Sequence, residues 1–272
     1  MSLPDPASDR TALVTGASSG IGDEIARELA RRGHGVTLVA RREDRLRLLA
    51  DELAERHGVR TEVVAADLAD AGSRAVLQSA VEGLGLTVDV LVNNAGFSTM
   101  GAVATAEVEA ELRLVRVDVE AVVDLCVRFV PGMVERGRGA VLNVASVGAF
   151  QPLPGQASYA AAKAFVLSYT DSLHTELAGT GVTATSLCPG PVRTGFGAAA
   201  GISDHDAEGA LPSFMWEPVD AVARAAVDGL DKGRRVVIPG AANHISAYAG
   251  RVTPKTLLLP LLKRGHPAMR DA

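Results

Sequence analysis

Short, almost uninterrupted runs of aliphatic residues alternate with longer stretches of helical periodicity from residue 11 to residue 239. The runs at 11–15, 35–40, 61–65, 88–93, 140–145, 182–188 and 235–238 read as strands. Between them, 21–32, 43–56, 73–84, 106–135, 158–177 and 218–230 carry the apolar spacing of helices with one buried face. The strands do not alternate polar with apolar, which predicts a sheet covered on both sides. Strand–helix alternation with right-handed crossovers then gives an α/β fold, a doubly wound parallel sheet of about seven strands with helices on both faces. No repeat and no linker divides the chain, so a single domain over residues 10–240 is expected.

Two stretches break the rhythm. Residues 194–216 are rich in Gly and Ala and end in Leu211, Phe214, Met215 and Trp216. A connection of that length without periodicity is usually functional or disordered, and its apolar end suits a substrate lid at about 194–217. Residues 241–272 form an extension, expected to pack on the domain or at a subunit interface. Within it, Leu257, Leu258, Leu259, Leu261 and Leu262 surround Pro260, with Lys255, Lys263 and Arg264 at the margins. That fits a tail packed on the core or a second subunit, a rim of the substrate mouth, or a weak peripheral contact with a membrane. Residues 1–9, polar and containing Pro4 and Pro6, read as a flexible tail without the layout of a secretory signal.

Composition narrows the function classes. A hydrophobic content of 47% supplies a core for an α/β domain of this size. The net charge of −5 argues against nucleic acid as a main partner. No apolar run reaches the roughly 18 residues that span a bilayer. Cys126 and Cys188 sit in apolar runs without metal spacing and read as reduced core thiols, in keeping with a cytoplasmic setting. The histidines show no ligand spacing, and Asp204, His205, Asp206 and Glu208 lie in a Gly/Ala-rich loop that reads as solvated. No metal is expected.

The chemistry-bearing residues begin after the first strand. Thr15-Gly16-Ala17-Ser18-Ser19-Gly20-Ile21-Gly22 opens the first helix. Glycines there let the backbone approach a pyrophosphate, which the helix N-terminus holds. The second strand ends Val39-Ala40-Arg41-Arg42, with no carboxylate to accept from the ribose hydroxyls of NAD. Two guanidiniums instead face the region of the extra phosphate of NADP, so NADP(H) is favoured over NAD(H), with Arg41 the leading contact. Asp67, followed by Leu68, lies just past the third strand, where its carboxylate can meet the adenine amino group. Asn93-Asn94-Ala95-Gly96 closes the fourth and can pack on adenosine; both segments also fit ordinary turn chemistry.

Farther on, Tyr159 and Lys163 stand four apart on one helix face, downstream of Ser146. An ammonium beside a phenol lowers the phenol's pKa and makes it a usable proton donor or acceptor. Only four of the 27 basic residues are Lys, so a Lys at this position points to a compact, titratable ammonium.

Together these residues resemble the short-chain dehydrogenase/reductase family, over nearly the whole of residues 11–239. The marks are the Thr15-to-Gly22 loop, Asn93-Asn94-Ala95-Gly96, Ser146, Tyr159-x-x-x-Lys163, and Pro189-Gly190-Pro191-Val192-x-Thr194. The resemblance implies a Rossmann-like oxidoreductase. Tyr159 would be its general acid or base, and Ser146 the donor to the substrate oxygen. Lys163 would bind the nicotinamide ribose, and Val192 and Thr194 would contact the carboxamide. Relatives usually carry Asn in the long fourth helix, as part of a proton relay; here the equivalent is Asp118, whose carboxylate can pair with Lys163 and raise its pKa. The implied activity is NADPH-dependent reduction of a ketone or aldehyde on an apolar substrate (3-oxoacyl, steroid-like or otherwise bulky). The alternatives are oxidation of a secondary alcohol and NADP(H) sensing without turnover. A homodimer or homotetramer is expected, pairing the fourth and fifth helices across a two-fold axis.

Overall fold

The computed structural model describes residues 3–195 and 212–265. Seven parallel strands form one sheet: β1 (Arg10–Thr15), β2 (Val36–Ala40), β3 (Thr61–Ala65), β4 (Thr87–Asn93), β5 (Gly139–Val144), β6 (Val182–Leu187) and β7 (Val236–Val237). Their order is β3-β2-β1-β4-β5-β6-β7, so the chain turns back on itself between β1 and β4. At that switch point the crossovers leave to opposite sides and open a crevice beyond the strand ends, the usual ligand site of such sheets.

The buried aliphatic strand residues face one of two cores. Ala12 and Val14 of β1 join Leu38, Val92 and Leu142 beneath α1 (Gly20–Arg31), α2 (Glu43–His57) and α7 (Val219–Asp231). Leu13, Leu91 and Val141 face the other side, under α3 (Ala71–Gly83), α5 (Ala121–Glu135) and α6 (Ala157–Glu176). That two-sided burial is why the strands read as continuous apolar runs.

The helix expected at 106–135 differs from expectation. It comprises α4 (Val108–Val115), one π turn at Arg116–Glu120, and α5. A π turn carries one extra residue, which rotates the following side chains relative to a regular helix. Asp118 lies in it, with no solvent exposure.

The ends of the chain are tied to the domain where they are described. In the segment expected as a flexible tail, Leu3 is buried, its amide donates to Asp231 at 2.8 Å, and the Asp5 carbonyl accepts from Arg138. After β7 the chain forms α8 (Ala241–Val252) and α9 (Lys255–Gly265). The expected lid falls largely on 196–211, outside the described residues, as does the Asp204–Glu208 cluster. Cys126 and Cys188 are both buried and free. Burial pushes each thiol up to about 12.

Candidate active site

The loop between β1 and α1 is shaped by what stands behind it. Thr15 Oγ1 accepts from the amides of Asn94 and Ala95, at 2.9 and 3.0 Å. Asn94 in turn donates its side-chain amide to the Thr15 carbonyl at 2.9 Å. A Cβ on Gly22 would come within 2.3 Å of Asn94 Nδ2 and 2.5 Å of the Gly16 carbonyl oxygen, so nothing larger than glycine fits. Gly16 itself has φ +67°, which side chains rarely adopt. Asn94 is thus a brace across the switch point, holding the ends of β1 and β4 together.

Ser19 precedes α1 without making a capping bond, whereas Asp70 caps α3 by accepting from the Ser73 amide at 2.7 Å. The hydroxyls of Ser18 and Ser19 instead accept from Arg42 Nη2, at 2.9 and 2.8 Å. Arg42 is folded over the loop as a strut, and Arg41 beside it stays exposed. No hydrogen bond or ion pair of Arg41 falls among the described residues.

Past β3, Asp67 receives Arg113 at 2.6 Å and the Ala69 amide at 3.0 Å. Partial burial pushes its carboxyl up, but these bonds and the Arg113 charge outweigh it and hold it below its usual range. The Leu68 carbonyl accepts from buried Arg74 at 2.7 Å. Arg113 had no signal in the sequence, being one of many arginines and 46 positions from its partner.

Ser146, Tyr159 and Lys163 converge beyond the end of β5. Ser146 begins a 3₁₀ turn at Val147–Phe150 and accepts from the Gly148 amide at 3.0 Å. The Val147 amide donates to the Pro189 carbonyl at 3.0 Å, which ties this turn to the Pro189-Gly190 segment after β6. The Ser146 hydroxyl is hydrogen-bonded to Tyr159. Lys163 Nζ lies 5.7 Å from the centre of the Tyr159 ring. It donates to the Val144 carbonyl at 3.1 Å and meets Asp118 Oδ2 at 3.0 Å. Asp118 Oδ1 accepts from the Phe97 amide at 3.1 Å. A Cβ on Gly96 would stand 2.9 Å from Asp118 Oδ2 and 3.1 Å from Lys163 Nζ, so Gly96 makes room for the ion pair.

The electrostatics differ from the sequence expectation at one point. Burial of Tyr159 outweighs the pull of Lys163 and the Ser146 bond, and Asp118 adds to it, so the phenol's pKa is raised and not lowered. Burial pushes Lys163 down, but the Asp118 carboxylate and Tyr159 outweigh it, so its pKa is raised. Desolvation likewise pushes the Asp118 carboxyl up, against the opposing charge of Lys163. The expected Asp118–Lys163 pair is therefore present.

Around this centre, Thr194 stands over the phosphate loop, with a Cβ on Gly20 meeting its own Cβ at 3.0 Å. Val192 bridges to Glu217. A Cβ on Gly190 would strike Asn243, which is fully buried and donates to the Met215 and Pro239 carbonyls at 3.0 and 3.1 Å.

A family model described as short chain dehydrogenase matches residues 10–203. The chain belongs to the short-chain dehydrogenase family. Among its relatives, a very-long-chain 3-oxoacyl-CoA reductase of Anas platyrhynchos is 30% identical over 267 residues, 95% of this chain and 80% of that protein. A short chain dehydrogenase of Pseudocercospora fijiensis is 38% identical over 191 residues, 70% of this chain; the match spans only 62% of that longer protein. A short-chain dehydrogenase from Sphingobium yanoikuyae, solved in complex with NADPH, superposes with a TM-score of 0.79 at 34% identity, covering 92% of this chain and 95% of that one. The protein is thus an oxidoreductase of carbonyl or alcohol substrates that works with a nicotinamide dinucleotide.

Within this dehydrogenase, Thr15 and Asn93 stand in motifs that the sequence shows without their bracing roles, and Arg113, Asn143 and Thr170 stand in no motif. Besides Thr15 and Arg113, Asn93 donates to Asn143 at 2.9 Å, and Asn143 donates to Thr170 at 3.0 Å, a buried polar chain linking β4, β5 and α6. Asn143 was findable: a lone amide in an aliphatic strand must meet a partner. No group of metal-binding side chains occurs among the described residues, and no described helix is long and apolar enough to cross a membrane.

Proposed function

We propose that this enzyme reduces a ketone or aldehyde on a bulky apolar substrate with NADPH, using Tyr159 as general acid. The observation that carries the reading is the convergence of Ser146, Tyr159 and Lys163 beyond the end of β5, with Lys163 Nζ 5.7 Å from the centre of the Tyr159 ring and 3.0 Å from Asp118. A phenol held protonated at neutral pH is built to give a proton, which is what carbonyl reduction requires. Alcohol oxidation would need it as phenolate and is favoured only at higher pH.

The chain's residues fit a dinucleotide phosphate. The uncapped N-terminus of α1 offers amides to a diphosphate, and Gly16, Gly20, Ile21 and Gly22 let it come close. Arg41 is free to meet a 2′-phosphate while Arg42 stiffens the Ser18-Ser19 turn beneath it. Asp67, Leu68, Asn94, Ala95 and Gly96 would line the adenosine and ribose path. Pro189, Gly190, Val192 and Thr194 would hold the nicotinamide end. When bound, the cofactor supplies the hydride.

The residues then divide the work. Ser146 donates to the substrate oxygen and steadies the charge growing there. Tyr159 delivers its proton to that oxygen. Lys163 has three N–H donors; the Val144 carbonyl and Asp118 occupy two, which leaves one for the ribose hydroxyls. Its positive charge also steadies the phenolate left after proton transfer. Phe150, Leu153 and Tyr248 stand close by: a Cβ on Gly148 would lie 3.0 Å from Leu153 Cδ1 and 3.7 Å from Tyr159 Cε1, and Phe150 lies 6.3 Å from Tyr248. That apolar wall, with the length match to a 3-oxoacyl-CoA reductase, supports a long acyl or similarly bulky carbonyl.

The test is NADPH consumption across aldehydes, ketones, 3-oxoacyl thioesters and steroids, with and without Tyr159→Phe. Loss of the general acid should lower kcat by about 10²–10⁴-fold at little cost to NADPH binding. NADPH binding without turnover on any carbonyl would favour a sensor instead.

A further inference from the structure

Helix α8 is turned with its larger apolar side outward. The face it buries carries Asn243, Ala247 and Gly250, while Ile245 (72% exposed), Tyr248 (51%) and Val252 (76%) lie in the open. These three are spaced i, i+3, i+7 and so share one stripe. Beyond the short connection at Thr253 and Pro254, α9 anchors through buried Leu258 and leaves Leu257 69% exposed. A soluble surface helix normally does the reverse, so a contiguous outward apolar stripe marks a contact surface.

Charge says what it contacts. Asp231 and Asp271 bracket 39 residues with no carboxylate and eight cations: Lys232, Arg234, Arg235, Arg251, Lys255, Lys263, Arg264 and Arg270. The rest of the chain therefore holds 27 − 8 = 19 cations against all 32 acids. On α8 and α9, Arg251, Lys255 and Lys263 are exposed and have no ion-pair partner among the described residues. An isologous contact with a second copy would set this basic patch against itself without a single acid between residues 241 and 265 to answer it.

We propose that the outer face of α8 and α9 docks on an anionic lipid surface, with Ile245, Tyr248, Val252 and Leu257 entering the headgroup boundary and the three cations meeting lipid phosphates. Aliphatic side chains, a tyrosine and flanking Lys/Arg are the composition of an interfacial helix. The inference is independent of the reaction assigned above. It has one consequence for it: Tyr248 packs near Phe150 on the turn that begins at Ser146, so the docked face adjoins the mouth through which an apolar substrate enters.

The test is co-sedimentation of the full chain with vesicles of phosphatidylcholine and phosphatidylglycerol in roughly equal parts, beside vesicles of phosphatidylcholine alone. Wild type should bind the anionic vesicles at least about 10-fold more tightly, and binding should weaken as salt screens the cations. Arg251→Glu/Lys255→Glu and, separately, Ile245→Asn/Val252→Asn should each weaken binding about 10-fold or more with unchanged thermal unfolding. The idea is overturned if wild type ignores anionic vesicles, or if both double variants bind as wild type does. It is equally overturned if light scattering shows the Ile245→Asn/Val252→Asn variant to be a smaller oligomer than wild type, because the stripe would then be covered by a second copy.

Discussion

Replacing Asp118 by Asn tests how the ion pair under the phenol is used. Asp118 is fully buried, accepts from Phe97 through one oxygen and meets Lys163 with the other. Asparagine keeps the shape but has one acceptor and one NH₂ group. Whichever way the amide is turned, it presents a donor either to the Phe97 amide or to the Lys163 ammonium. Removing one partner of a buried pair costs about 3–5 kcal/mol. The Val144 carbonyl still holds Lys163 at 3.1 Å, and the carboxylate's own desolvation cost disappears with its charge. The low end, about 3 kcal/mol, is therefore the expected loss. For a domain of this size that is a fall in Tm of roughly 6–12 °C. A second readout separates electrostatics from packing. Asp118 pushes the Tyr159 phenol up and also holds Lys163 up, so a variant in which Lys163 keeps its proton should have a phenol that titrates lower. A general acid fails as pH rises through its pKa, so the alkaline limb of carbonyl reduction should move to lower pH. Differential scanning fluorimetry and NADPH consumption from neutral to alkaline pH measure both. An unchanged Tm with an unmoved alkaline limb would refute the reasoning. A sharp rise in neutral-pH turnover would show instead that the carboxylate is a liability.

Three further outcomes are expected. Arg41→Asp should lower kcat/KM for NADPH by about 10–150-fold, the worth of a charged hydrogen bond of roughly 1.5–3 kcal/mol, and shift preference toward NADH; an unaltered NADPH/NADH ratio in paired assays would count against Arg41 as the phosphate contact. Gly22→Ala should weaken NADPH binding, read by fluorescence titration, and cost about 1–3 kcal/mol in urea unfolding, because its Cβ would press on Asn94 and the Gly16 carbonyl. Cys126 and Cys188, with thiols pushed up to about 12 by burial, should both resist a thiol reagent at mildly alkaline pH in the native protein and react fully once it is unfolded; rapid labelling of the native enzyme would contradict their burial.

Much of this enzyme is written in near neighbours along the chain. All seven strands were legible because burial on two faces demands uninterrupted aliphatic runs. The Tyr159–Lys163 pair was legible because helical geometry makes residues four apart adjacent. The glycine loop was legible because only a few residue types can turn so tightly. What the tertiary structure alone decided involves partners far apart or the removal of water. Thr15 braces Asn94 from 79 positions away, and Arg113 reaches Asp67 from 46. Arg42 closes on Ser18 and Ser19, leaving Arg41 as the exposed guanidinium without a hydrogen bond or ion pair among the described residues, a division that two adjacent arginines in a sequence do not reveal. The π turn that carries Asp118 inward lies within a stretch whose spacing reads as one plain helix. The sequence placed an ammonium beside a phenol and so implied a lowered pKa. Folding buried Lys163 and Asp118 beneath a half-buried phenol, and there desolvation and that carboxylate outweigh the ammonium. Local spacing determines which groups can meet; only the packed surroundings determine how much water remains, and with it which way their protons move.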